Sequence, residues 1–155
     1  IKTNALRLLD QAKIDYEIKE YEYDEDHLSG EHIVTQVEIP AKDIFKTLVL
    51  KGNHGFLVCC IPVLEEIDLK KLAKLSNNKS VAMIHMKDLL AVTGYIRGGC
   101  SPIGMKKKFD TYFDSSVNNC DKIALSAGKR GYQMIVNASE LINYLDAKIC
   151  DVIKE

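Results

Sequence analysis

Cysteine pairs at metal-ligand spacing are missing from this 155-residue chain. Its five cysteines, Cys59, Cys60, Cys100, Cys120 and Cys150, include no CxxC, which argues against a zinc knuckle and, the number being odd, against a disulfide framework. His27, His32, His54 and His85 show no HxH or HxxxH spacing, so no metal and no cofactor are expected. Apolar runs of membrane length are also lacking, since the longest, over 55–64, is far shorter than a bilayer requires. With no repeat and no Gly/Ser- or Pro-rich divider, one domain over residues 1–155 is expected. No signal peptide is read at the N-terminal end, and a reducing cytoplasm is the expected setting. An excess of basic charge is absent too: the formal net charge is −1, which excludes a protein that holds nucleic acid by bulk electrostatics.

What is present is enough apolar content, 46% of residues, to bury a core without staples. Charge is placed unevenly. Acidic residues crowd the stretch 15–31, whereas Lys106, Lys107, Lys108, Lys129 and Arg130 sit in or beside glycine-bearing segments, a local basic rim suited to a few phosphates. The most informative segment runs over 94–104, Gly-Tyr-Ile-Arg-Gly-Gly-Cys-Ser-Pro-Ile-Gly. Four glycines and a proline disfavour both helix and central strand, so the segment is a shaped loop able to bring backbone N–H groups up to a ligand.

Periodicity predicts helices over 4–13 with Thr3 as N-cap, 31–37, 68–75 behind Asp68, 86–93 ended by Gly94, and 138–145 capped by Asn137. Residues 41–44 are expected to add one more turn. Strands are predicted over 15–21, 80–84 and 109–113, with a last one over 147–152. Two hairpins are expected, 45–51 with 56–63 and 122–126 with 131–136. Irregular interleaving without a βαβ rhythm argues α+β: a curved mixed, mostly antiparallel sheet flanked by helices.

Three segments stand out chemically: Phe45-Lys46-Thr47-Leu48, the loop over 98–104, and Ser126-Ala127-Gly128-Lys129-Arg130-Gly131. Lys46 lies in an otherwise apolar strand start, where it either snorkels to the rim or points into a cleft. In this order and spacing, with Tyr21-Glu22, Ile67-Asp68-Leu69-Lys70-Lys71-Leu72-Ala73 and Thr93-Gly94-Tyr95, the three resemble the YbaK/EbsC family of aminoacyl-tRNA deacylases. These are relatives of the editing domain inserted in bacterial prolyl-tRNA synthetases. The resemblance runs from the first helix to residues 146–148.

It implies a bent mixed sheet with a cleft for the 3′-terminal aminoacyl-adenosine of a tRNA. By position it makes Lys46 the hallmark lysine needed for deacylation, followed by Thr47. The backbone of Gly98, Gly99, Ser101, Pro102, Ile103 and Gly104 becomes the wall for the aminoacyl carbonyl and ribose. Ser126 and Gly128 line the opposite edge, and Tyr21 matches a cleft-side tyrosine. The chain departs from the pattern at two places: Leu28-Ser29 precedes Gly30 where many relatives have an aromatic, and Gln133 stands where some have aspartate.

An aminoacyl ester is already activated, so its cleavage needs orientation and charge stabilisation more than a strong nucleophile. Backbone N–H groups of the 98–104 loop suit the developing oxyanion, and Lys46 suits a phosphate or ribose oxygen. In the cysteine-editing branch of the resembled family the substrate's own thiol attacks its carbonyl. Cys100 is discounted as a nucleophile because no base is readable beside it. The expected function is a trans-acting editing deacylase taking cysteine from tRNA-Pro, with Lys106, Lys107, Lys129 and Arg130 on tRNA phosphates and prolyl-tRNA synthetase as the candidate partner. The alternatives are an enzyme for Ala-tRNA-Pro or another small aminoacyl-tRNA, a non-catalytic module binding tRNA or a synthetase, and a small-molecule ester or thioester hydrolase.

Overall fold

The computed structural model describes residues 1–24, 26 and 30–155. The acidic and histidine positions Glu25 and His27, and the Leu28-Ser29 departure, lie outside the described residues.

Helix α1 (Asn4–Gln11) starts where Thr3 Oγ1 accepts from the Leu6 N–H at 3.2 Å. The same hydroxyl donates to the Ala127 carbonyl at 2.6 Å, pinning the N-terminus to the second hairpin turn. The helix stops two residues short of the expected end, and the chain reverses through Lys13 at φ 59°. Strand β1 (Tyr16–Glu20) follows, then α2 (Gly30–Gln36) and a 3-10 turn, Ala41–Asp43.

The first hairpin pairs β2 (Phe45–Gly52) with β3 (Gly55–Pro62) across a two-residue turn. Gly55 takes φ 116° there, open to glycine at little cost. Asn53 at that turn accepts from the N–H groups of Lys79 and Ser80, tethering the segment between α3 (Leu69–Leu75) and β4 (Ala82–Met83). Asp68 caps α3 by accepting from the Lys70 and Lys71 N–H groups. Helix α4 (Met86–Thr93) ends at Gly94 with φ 87°, a left-handed C-cap. Then come β5 (Asp110–Asp114), a 3-10 helix Ser115–Asn119, β6 (Lys122–Ser126), β7 (Tyr132–Asn137), α5 (Ala138–Leu145) and β8 (Lys148–Cys150). The 3-10 helix has no counterpart in the expected elements. It forms because Asp114, almost fully buried, accepts from Ser116 N–H at 3.0 Å and from Val152 N–H at 3.1 Å.

Two sheets result, with strand orders β1-β7-β6 and β4-β2-β3-β5-β8. All pairings are antiparallel except β3–β5 and β5–β8. The expected mixed, mostly antiparallel α+β architecture is therefore what the chain adopts, as two sheets rather than one continuous curve. Their ladders meet at one isolated parallel bridge, Ile44 with Ala124. The larger core fills the space between sheets, α1 and α5, around Leu6, Leu9, Phe113, Ile123, Leu125 and Met134. The adjacent cysteines divide as strand alternation demands: Cys60 enters that core and Cys59 the second one, under α3 with Leu50, Ile61 and Leu72. Among the described residues no helix is long and apolar enough to cross a membrane.

Candidate active site in the seam between the sheets

Strand β2 is paired with β3 along its whole length, but on its other side it is held only near its ends. Ile44 bridges Ala124 before it begins, and Leu50 and Lys51 pair with β4. The Val49 carbonyl accepts from Ile84 N–H at 3.0 Å, the last bond before the gap. Residues 45–49 therefore front a cleft of about 300 Å³, closed by α4, the glycine loop, β6 and β7, and α2. Its lining is mostly apolar, including Ile33, Leu48, Val63, Ile84 and Leu89. The charged groups among the described lining residues are both cations, Lys46 and Arg97.

Lys46 is half-buried in the cleft wall. Burial pulls its ammonium below the ordinary lysine range, and the carboxylates of Glu66 and Glu65 partly offset that by favouring the charged form. Next to it, Thr47 Oγ1 accepts from the Cys60 thiol at 3.7 Å, and burial pushes that thiol up to about 12.

The glycine loop is braced from both ends. Thr93 Oγ1 accepts from Tyr95 N–H at 3.0 Å and donates to the Leu89 carbonyl. The Tyr95 hydroxyl donates to the Ile103 carbonyl. Arg97, Gly98 and Cys100 face the cleft. The second half of the loop turns away: Ser101 is fully buried, Ile103 belongs to the core, and Pro102, Ile103 and Gly104 line a separate cavity of about 380 Å³ with Lys107 and Lys108. A Cβ on Gly99 would meet the Arg130 backbone nitrogen at 3.2 Å, so the loop rests on the second hairpin turn. Gly104 and Gly128 flank the Tyr95 ring, where a Cβ would lie 2.9 Å from its hydroxyl and 3.1 Å from its Cε1 respectively.

Of the residues singled out in the sequence, Lys46, Thr47, Gly98, Ser126 and Gln133 are thus brought together on one cleft. Ser126 Oγ accepts from Gly128 N–H at 3.1 Å, and Gln133 is its cross-strand partner on β7. Tyr21 instead packs outside the lining, against the small core of Ile44, Val63 and Ala124. The basic residues are scattered. Lys106 Nζ donates to the Ala91 carbonyl, Lys129 lies over the Tyr132 ring, and Arg130 Nε donates to the Arg97 carbonyl. Arg97, Ile33 of α2 and the pair Met83 and Met86 were not distinguished in the sequence. Arg97 carries the one signal that points to it, a cation set directly before Gly98.

Cys100 lies in the cleft with its thiol pushed up to about 12 by burial, so it is protonated at neutral pH. Among the described residues no group of three or more His, Cys, Asp or Glu is placed to hold a metal ion. A cleft of this make-up accepts a ligand with an anionic or oxygen-rich end and a small apolar remainder.

Comparison with known proteins gives four results. The family model described as "Aminoacyl-tRNA editing domain" matches residues 25–144. A protein of Enterococcus faecalis described as "Putative Cys-tRNA(Pro)/Cys-tRNA(Cys) deacylase EbsC" is 47% identical over 97% of this chain and 93% of its own length. A proline–tRNA ligase of Fervidobacterium nodosum is 32% identical over 44% of this chain, which is 12% of that enzyme. Among solved structures, a "putative trans-editing enzyme for prolyl tRNA synthetase" superposes with a TM-score of 0.84 over 100% of this chain and 99% of its own, at 17% identity, a likeness of fold.

Proposed function

The chain belongs to the aminoacyl-tRNA editing domain family, and from that premise we propose that it is a trans-acting deacylase that removes mischarged cysteine from tRNA-Pro. The observation that carries this reading is the convergence of Lys46 and Gly98, from elements far apart in sequence, on one small cleft of mostly apolar lining.

The ester end of the substrate sits against Lys46 and Arg97, which hold ribose or phosphate oxygens of the terminal nucleotide. The backbone N–H of Gly98 receives the charge that develops on the carbonyl oxygen, that of Gly99 being donated to the Ile96 carbonyl at 3.0 Å. The wall over 98–104 divides the work: its first half meets the substrate, and Ser101, Pro102, Ile103 and Gly104 support it from behind. Tyr21 and Gly128 support the cleft in the same indirect way. The nucleophile is the substrate's own thiol. Its sulfur bonds to the carbonyl carbon, the ester C–O bond breaks, and the thiol proton passes to the departing ribose oxygen, releasing a cyclic thiolactone. The protonated state of Cys100 supports a route without a protein thiolate.

A net charge of −1 gives modest intrinsic attraction to tRNA, so prolyl-tRNA synthetase is the partner that delivers the substrate. Lys107 and Lys129 are the lysines left to meet acceptor-stem phosphates.

The test is release of amino acid from Cys-tRNA-Pro, Ala-tRNA-Pro and Pro-tRNA-Pro by the purified protein beside Lys46→Ala. Loss of cysteine alone, abolished in the variant, is expected. Release of alanine instead would move the assignment to the alanine-editing alternative, and no turnover on any of the three would leave a binding module.

A further inference from the structure

We infer that Gln133 is the residue that receives the substrate's free α-ammonium group, which makes this cleft selective for aminoacyl esters with an unblocked amine; the inference rests on the deacylase reading. Gln133 lines the cleft from β7. It is 3% exposed, and its amide oxygen Oε1 is shut off from solvent without a hydrogen-bond donor. A buried acceptor left in that state is costly, and a fold keeps one where a ligand completes it. The terminal torsion of a glutamine is soft, and a turn about it exchanges the places of the amide oxygen and nitrogen, which lets the oxygen face the cleft when an ammonium is there to meet it.

The two hydroxyls of the described lining each already accept one bond. Thr47 Oγ1 takes the Cys60 thiol proton, and Ser126 Oγ takes the Gly128 N–H. No carboxylate is among the described lining residues, so an ammonium entering the cleft finds in Gln133 the one side-chain acceptor without a donor. Charge fixes which end of the substrate goes where. Lys46, on β2 of the other sheet, repels an ammonium and attracts oxygens. The α-amine is thereby directed away from Lys46, to the Gln133 side, while the ribose oxygens stay on the Lys46 side. A thiol is a weak donor and a neutral hydroxyl a moderate one; the ammonium has three N–H donors and forms the stronger charge-assisted bond. An N-acylated or peptidyl ester has lost that group and gains nothing from Gln133.

The test uses non-cleavable tRNA-Pro minihelices whose 3′ amide carries either cysteinyl or 3-mercaptopropionyl, the second lacking only the α-amine. Affinity is measured for the wild type, Gln133→Met and Gln133→Glu. Methionine matches the volume and removes an unsatisfied buried acceptor, so the variant is expected to fold. The wild type is expected to prefer the cysteinyl ligand by about ten- to a hundredfold. Gln133→Met should reduce that preference to about twofold or less while leaving the des-amino affinity unchanged. Gln133→Glu should preserve or widen the preference at neutral pH. A preference that persists in Gln133→Met, an equal loss for both ligands, or a collapse in Gln133→Glu overturns the assignment. Since no cleavage is required, absence of turnover in the deacylation assay leaves this result intact. A wild type that binds neither ligand overturns the deacylase reading itself and the inference with it.

Discussion

The Nε of Arg130 donates to the Arg97 carbonyl oxygen at 2.7 Å, which ties the turn of the β6–β7 hairpin to the glycine loop. The bond makes Arg130 a brace for the residue beside Gly98 and competes with its use as a phosphate contact. Arg130→Ala is expected to lower kcat/KM by about tenfold, an effect of the size of one lost charge-assisted bond. The slope of log affinity against log salt should stay as in the wild type, read by tRNA binding at several salt concentrations. A slope shallower by about one would return Arg130 to the phosphate-binding set.

Gly128 combines a φ of 96° with the Tyr95 ring 3.1 Å from where a Cβ would stand. Gly55 also has a positive φ, but open space around it. Gly128→Ala is therefore expected to cost more than Gly55→Ala, by about 1–2 kcal/mol in urea denaturation. Equal losses would show that the Tyr95 contact yields freely.

Cys100 is protonated at neutral pH, with a thiol pushed up to about 12 by burial. Cys100→Ala should keep deacylation within about threefold of wild type, a change on the scale of ordinary packing adjustment. Alkylation of Cys100 by iodoacetamide at neutral pH, followed by mass spectrometry, should be slower than that of a free thiol. A variant without activity would restore Cys100 as a nucleophile.

Lys46 has its pKa lowered chiefly by desolvation. If its cation holds the ligand, affinity for a non-cleavable analogue falls as pH rises through a value below the ordinary lysine range, and Lys46→Met shows no such limb. The stability sign runs the other way. The unfolded chain keeps its proton to higher pH than the folded one, so stability rises with pH between the lowered folded value and the ordinary unfolded one. Chemical denaturation of wild type beside Lys46→Met across that window reads the difference.

Much of the fold was legible because its signals are local. Thr3, Asp68 and Asn137 each cap a helix within a few residues, Gly94 closes α4, and Asn53-His54 between two glycines turns the first hairpin. The 3-10 helix after β5 was not legible, since it depends on a bond from distant Val152 to buried Asp114. The division of the loop at Ser101 was hidden for a similar reason. Which half faces the cleft is decided by Tyr95 reaching Ile103 and by core packing of Ile103, and spacing along the chain carries neither. The partnerless oxygen of Gln133 is a property of three strands at once.

Because the two ladders, among the described residues, meet only at Ile44 and Ala124, the cleft is a joint between units and not a hole cut into one. Exposed lining side chains, such as Met83 and Met86, can change size without asking any strand to give up its neighbours. The fit of this cleft is consequently free to drift by substitution while its hydrogen-bonded frame stays as it is, and a designer who wants it to take a different ligand has the same liberty.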